Sequence, residues 1–202
     1  MSQSQLRTGV IGVGSMGQHH ARVYRELPET RLVGVADADA DAARAAADTY
    51  ETAAMEIEEL LEAVDAVSIA VPTPYHYETA SAALDRGVDV LVEKPFVDSL
   101  DEGRRLIDRA REHDRTLQVG HIERFNPAVR ALTDIVPDLN VIAVDARRLG
   151  PPLDRDLETS AVLDLMIHDI DVLLALIGDD VTVAEAAGTA DGQYVTATVE
   201  LG

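Results

Sequence analysis

The chain has 202 residues, 47% of them hydrophobic, which is enough for one full domain and part of a second. Its formal net charge of −20 makes a surface that repels nucleic acid and anionic membranes, so neither is expected as a partner. It has no cysteine, which excludes disulfides and thiolate metal sites, and its polar start (Met1 to Arg7) and lack of a long apolar run lead us to expect a cytoplasmic protein.

Thr8-Gly9-Val10-Ile11 is a strand-like run that passes into Gly12-Val13-Gly14-Ser15-Met16-Gly17, and Gln18 to Leu27 has helical character. The three glycines fit G-x-G-x-x-G in the context the motif requires, after a strand and opening a helix. Gly12 permits a tight turn, Gly14 lets backbone approach a pyrophosphate, and Gly17 lets helix and strand pack closely. Arg31 to Asp37 is a second strand ending in an acid twenty residues beyond Gly17, the spacing for a carboxylate that accepts from an adenosine ribose.

Helices are expected over Ala38 to Tyr50 and Glu56 to Ala63, and a buried strand over Asp65 to Val71, stopped by Pro72-Thr73-Pro74. His76 to Arg86 follows as a helix closed by Gly87. Val88 to Val92 is a strand that ends at Glu93-Lys94-Pro95. Ser99-Leu100-Asp101-Glu102 resembles a capping box opening a helix through His113, and Thr116 to Val119 is the last strand of the alternation. Alternating strands and helices predict an α/β, doubly wound parallel sheet. The glycine loop, Asp37, Pro72-Thr73 and Glu93-Lys94-Pro95 all fall at strand carboxyl ends, where such sheets bind ligands.

The pattern changes after Gly120. Helices are expected over Asn126 to Val136 and Ser160 to Ile177, with a strand-like run over Val141 to Arg148 broken by Gly150-Pro151-Pro152 and an acidic loop. Val181 to Ala190 and Tyr194 to Leu201 read as strands joined through Asp191-Gly192, a hairpin signal. We place a boundary near residues 120–125, dividing a nucleotide-binding domain (1–122) from an α+β second domain (123–202).

Among seventeen basic residues a single lysine, Lys94, stands at a strand end. Lysine differs from arginine in its compact charge and movable pKa, so it suits donation to a substrate hydroxyl. Asp164 and His168 are four apart and share a helix face, with Asp171 near it. Histidine there suits proton transfer, but a surface Asp–His pair or a divalent-ion cluster fits the same spacing. Arg124 fits an anionic group or a structural carboxylate. His76 either faces a cofactor or begins its helix. His19 and His20 read as packing or surface residues.

Taken together, Gly12-Val13-Gly14-Ser15-Met16-Gly17, Pro72-Thr73-x-x-His76, Glu93-Lys94-Pro95 and Asp164-x-x-x-His168-Asp169 resemble the glucose–fructose oxidoreductase / inositol dehydrogenase (Gfo/Idh/MocA) family. The resemblance implies an N-terminal Rossmann domain and a C-terminal domain with an open, mostly antiparallel sheet. It also implies a nicotinamide cofactor and a sugar or cyclitol hydroxyl as the reacting group. By motif, the coenzyme site falls on Gly12, Gly14, Ser15, Met16, Gly17, Asp37, Pro72, Thr73, His76, Glu93 and Lys94. Lys94, Asp164 and His168 form the catalytic group, and Arg124 and Asn126 face substrate; no metal is implied. Asp37 favours NAD over NADP, since a carboxylate there repels a 2′-phosphate. Gly120 to Pro127 and Ile167 to Asp171 are most similar to members acting on UDP-sugars, UDP-N-acetylglucosamine 3-dehydrogenases in particular. Relatives that cleave glycosides with NAD offer a second activity, and a non-catalytic NAD-binding fragment a third reading. Full-length members exceed 300 residues and form homo-oligomers, so the resemblance implies a shortened C-terminal sheet here.

Carboxylate excess with almost no lysine predicts a chain suited to concentrated salt, where screening suppresses self-repulsion. Thermal unfolding is expected at a higher temperature in molar KCl than in dilute buffer; equal melting in both would remove the salt adaptation.

Overall fold

Strands and helices alternate up to Gly120, where the chain divides into two units. The computed structural model describes residues 5–148, 160–178, 181–190, 192 and 194–201. In the first unit β1 (Leu6–Ile11), β2 (Thr30–Ala36), β3 (Ala53–Ala54), β4 (Ala66–Ile69), β5 (Asp89–Val92) and β6 (Leu117–Val119) form one sheet. Its order is β3-β2-β1-β4-β5-β6, and every pairing is parallel. Five helices connect the strands: α1 (Ser15–Glu26), α2 (Ala40–Tyr50), α3 (Ile57–Ala63), α4 (His76–Asp85) and α5 (Leu100–Glu112). The strand order reverses between β1 and β4, which opens a crevice beyond their carboxyl ends.

Successive residues of a strand point to opposite faces, and β1 builds a core on each. Val10 packs with Val13, Ala21, Leu32, Val35, Ala46 and Ala47, the side covered by α1 and α2. Ile11 joins Leu60, Leu61, Ile69, Leu84, Val92 and Leu106, the side covered by α3, α4 and α5. Gly9 and Gly34 lie opposite each other in the β1–β2 ladder. A Cβ at Gly9 would stand 2.9 Å from Leu60 Cδ1, and one at Gly34 3.0 Å from the same atom. The two glycines thus form the floor of a socket for Leu60, which is fully buried.

Local signals end the helices where the sequence places them. Asp39 accepts from the amides of Asp41 and Ala42 at the start of α2, and Ser99 from that of Glu102 at the start of α5. Gly87, at φ +71°, follows α4, and its N–H bonds the Leu84 carbonyl.

The second unit begins with a 3-10 turn, Ile122–Phe125, and α6 (Pro127–Ile135). A π-helical turn, Val162–Met166, leads into α7 (Ile167–Ile177), and β7 (Val181–Gly188) pairs antiparallel with β8 (Val195–Leu201). This is the antiparallel element expected of the second domain.

Two expectations need correction, and one observed strand was not expected. Val141 to Arg148 forms no strand: it is largely exposed, Ile142 at 91%, and pairs with no described strand, and β propensity without a partner ladder has nothing to act on. The helix expected over Ser160 to Ile177 is not uniform, because the Ile167 N–H reaches back to the Val162 carbonyl, five residues away, and widens a turn. The two-residue edge strand β3 lacks a sequence signal altogether. The Gly150-Pro151-Pro152 break, the acidic stretch after it and Asp191 lie outside the described residues.

Leu60→Ala is expected to cost about 2–5 kcal/mol in denaturant unfolding, because rigid glycine backbone lines its socket. A loss below about 1 kcal/mol would mean that the socket closes around the smaller side chain.

Candidate active site

The ladder bonds run one residue past the strands and fix the loops at the carboxyl edge. The N–H of Gly12 donates to the Ala36 carbonyl (2.8 Å), that of Ala70 to Ile11 (2.8 Å), and that of Glu93 to Ile69 (2.9 Å). Gly12 turns the chain at φ +87°, and a Cβ there would lie 2.7 Å from Ala70 backbone. Gly17 packs α1 onto this turn so closely that a Cβ would stand 1.8 Å from the Gly12 carbonyl oxygen. Gly14 differs: a Cβ there would meet nothing within 4 Å. Two of the glycines are demanded by the fold, and the third is demanded by nothing in the folded chain.

Among the described α-helices, α1 alone has neither a side-chain cap nor an acidic residue in its first turn. In a chain of net charge −20 the N–H groups of Ser15, Met16 and Gly17 remain open to an external anion. Asp37 stands beside them. Its Oδ2 accepts from the Val13 N–H (2.7 Å) and its Oδ1 from the Asp39 N–H (2.9 Å), which orients the carboxylate and leaves each oxygen a further lone pair. A bare helix terminus, an open glycine and an oriented acid fit a dinucleotide.

Pro72 leads a 3-10 turn, Thr73–Tyr75, into α4. His76 is 1% exposed and does not face the cleft. Its Nε2 lies 2.8 Å from the Val71 carbonyl, and its Nδ1 lies 2.9 and 3.2 Å from those of Pro95 and Phe96. The expected cofactor contact is therefore a contact with the loops that would hold the cofactor.

Glu93 is likewise buried, at 6% exposure. Its Oε1 accepts from His20 Nε2 (2.8 Å) and its Oε2 from the Lys94 N–H (3.2 Å). Burial pushes this carboxyl up, but the His20 hydrogen bond, the charges of His20 and Lys94 and the Lys94 amide outweigh it and hold it below its ordinary value. The chain of contacts continues from His20 Nδ1 to Ser68 Oγ (3.3 Å) and from Ser68 to the Tyr24 hydroxyl (2.7 Å). His20 is thus neither packing nor surface. Its one sequence signal is position, three residues beyond Gly17 and four before Tyr24 on the face of α1 that meets the sheet. The Lys94-Pro95 peptide is cis.

In the second unit Asp164 lies within the π turn and His168 on α7. Arg124 takes the structural reading: it grips Asp171 through two nitrogens, at 2.6–3.1 Å, and Asp171 is 7% exposed. That pairing also removes Asp171 from the Asp164–His168 set. Asn126, expected to face substrate, accepts from the Ala128 N–H to cap α6 and donates to Glu123 (3.0 Å). Glu123 is held below its ordinary pKa by that Asn126 amide first, against burial, which raises it, and then by the charge and hydrogen bond of Arg148 and the charge of His168.

The sequence profile of the Gfo/Idh/MocA family, an oxidoreductase family with an NAD-binding Rossmann fold, matches residues 6–121. The chain belongs to this family. It is 40% identical over 189 residues to the UDP-N-acetylglucosamine 3-dehydrogenase of Acidithiobacillus ferrooxidans, covering 92% of this chain and 58% of that protein. A solved structure of that enzyme, GnnA, matches with a TM-score of 0.84 at 37% identity, over 93% of this chain and 62% of that one. Inositol 2-dehydrogenase 4 of Saccharopolyspora erythraea is 31% identical over 224 residues, 97% of this chain and 64% of that protein. The chain thus spans about three fifths of the length of these relatives.

Gly17→Ala is expected to destabilise the fold, and Gly14→Ala to leave its melting unchanged while weakening NAD binding in calorimetry. Equal NAD affinity in Gly14→Ala and the unmodified chain would place the pyrophosphate elsewhere.

Proposed function

We propose that this chain carries the coenzyme-binding and hydroxyl-oxidising residues of an NAD-dependent sugar dehydrogenase. The observation that carries the reading is the convergence, on one sheet edge, of an uncapped helix N-terminus, Asp37 and the chain's single lysine. Ser15, Met16 and Gly17 would hold the pyrophosphate, and Asp37 the adenosine ribose. Asp37 favours NAD over NADP by charge. Bound there, the nicotinamide supplies the hydride acceptor.

The remaining work falls to side chains of this chain. Lys94 stabilises negative charge as it develops on the substrate oxygen. His168 receives the hydroxyl proton, and Asp164 orients substrate and its two neighbours in the mechanism. Likeness to the Acidithiobacillus ferrooxidans enzyme supports a UDP-sugar, with UDP-N-acetylglucosamine at C3 as the first candidate. Arg124 and Asn126 do not enter this reading, since both are committed to partners within their own unit. A second reading, NAD binding without turnover, draws on one observation: the family profile for the NAD-binding fold matches residues 6–121 by themselves.

Absorbance at 340 nm with NAD and a panel of UDP-sugars, free sugars and inositols, in molar KCl, separates the two. NADH formation lost in Lys94→Ala is the expected outcome. NAD binding with no substrate oxidised would establish the second reading.

A further inference from the structure

Lys94 follows β5 in a loop gripped from both sides by histidines, His20 half-buried and His76 buried. From α1, His20 Nε2 meets the Glu93 carboxylate (2.8 Å), whose other oxygen accepts the Lys94 N–H (3.2 Å). From α4, His76 meets the carbonyls of Pro95 (2.9 Å) and Phe96 (3.2 Å), and on its far side that of Val71 (2.8 Å). Each acceptor is an oxygen, so a ring nitrogen bonds it only as a donor; for His76, whether the Val71 bond or the Pro95–Phe96 pair is donated follows its tautomer. The two helices are the ones that begin at the glycine loop and just beyond Pro72-Thr73, the two loops proposed to hold NAD. Glu93 is itself walled in: a Cβ at Gly120 would lie 3.0 Å from its carboxyl group.

We propose that His20 and His76 are positioning residues for Lys94, a two-sided clamp through which the coenzyme loops set the place of the lysine. The inference rests on the reading of Lys94 as the group that faces the substrate oxygen. His20 acts through Glu93, and His76 acts through the backbone on the far side of the lysine. Neither touches substrate. Their geometry explains why a buried carboxylate follows β5 and a buried histidine opens α4, where apolar residues would cost less desolvation. The polar chain behind His20, Ser68 and then Tyr24, fixes the ring that fixes Glu93.

The single lysine makes the test specific. Reductive methylation with 13C-formaldehyde labels Lys94 and the N-terminal amine alone, and the methyl resonance reports the lysine's surroundings whether or not the chain turns over. The unmodified chain is expected to show a Lys94 resonance displaced from that of free dimethyllysine; coincidence with the free value would overturn the clamp. His20→Gln keeps a donor at the position of Nε2 and is expected to retain the displacement. His20→Leu keeps apolar bulk without the donor and is expected to lose it, as is His76→Leu. A displaced resonance in folded His20→Leu would reduce His20 to a packing role and overturn the proposal.

Should the leucine variants not fold, amide exchange in the unmodified chain decides. The Lys94 N–H, donated to buried Glu93, is expected to exchange more slowly than an unstructured amide. Exchange at the unstructured rate would overturn the His20 arm. Failure of the functional reading looks different: an intact clamp with no substrate oxidised overturns that reading alone. NADH formation with an unmoved resonance in His20→Leu overturns the clamp alone.

Discussion

The close approach of α1 to the turn after β1 governs the rest of the first unit. With no side chain at Gly17, the helix lies against the Gly12 carbonyl at a distance that any Cβ would forbid. Helical periodicity carries this contact along the helix. Ala21, one turn further, is fully buried in the core on that face. His20 lands beside Glu93 at the end of β5, and Tyr24 beside Ser68 in β4. A helix held even a methyl group further out would lose both polar contacts. One glycine therefore fixes the uncapped terminus of α1 and the contacts behind Lys94 together.

Electrostatics in this chain separates into two populations. On the surface, arginines pair with an excess of carboxylates, as in Arg22–Glu26 and Arg109–Asp85; such exposed pairs contribute little individually. Inside, the buried carboxylates among the described residues, Glu93 and Asp171, are each matched. Glu93 is held by His20 and the Lys94 amide, and Asp171 by a bidentate Arg124. Removing one partner of a buried pair costs far more than the pair itself contributes, because the survivor is left desolvated. The acidic surface tolerates substitution, while the buried pairs constrain the loops near them.

What could be read from the sequence was what is encoded locally. The β1 turn, its glycines, Asp37 and the caps at Ser99 and Gly87 are each specified within a few residues, so spacing alone located them. The failures share the opposite cause. Strand β3 exists because β2 offers it an edge, and Val141 to Arg148 has strand propensity with no described partner to satisfy it. His20 and Glu93 are 73 residues apart, and no pattern in either neighbourhood announces their contact. His76 was legible as the start of a helix, but not as the tie between two loops, since its acceptors are backbone carbonyls that carry no sequence signature.

The π turn before α7 bears on how Asp164 and His168 are presented. In a uniform α-helix two residues four apart stack along one face. Here the widened turn, Val162–Met166, contains Asp164, and His168 follows on the regular helix α7. Such π turns are rare and recur at functional sites. An α-helical register would put Asp164 and His168 on one stripe, each facing what the other faces. A rare turn kept at the residue proposed to orient the substrate is the local irregularity expected where a helix is shaped by a site rather than by its own hydrogen bonds alone.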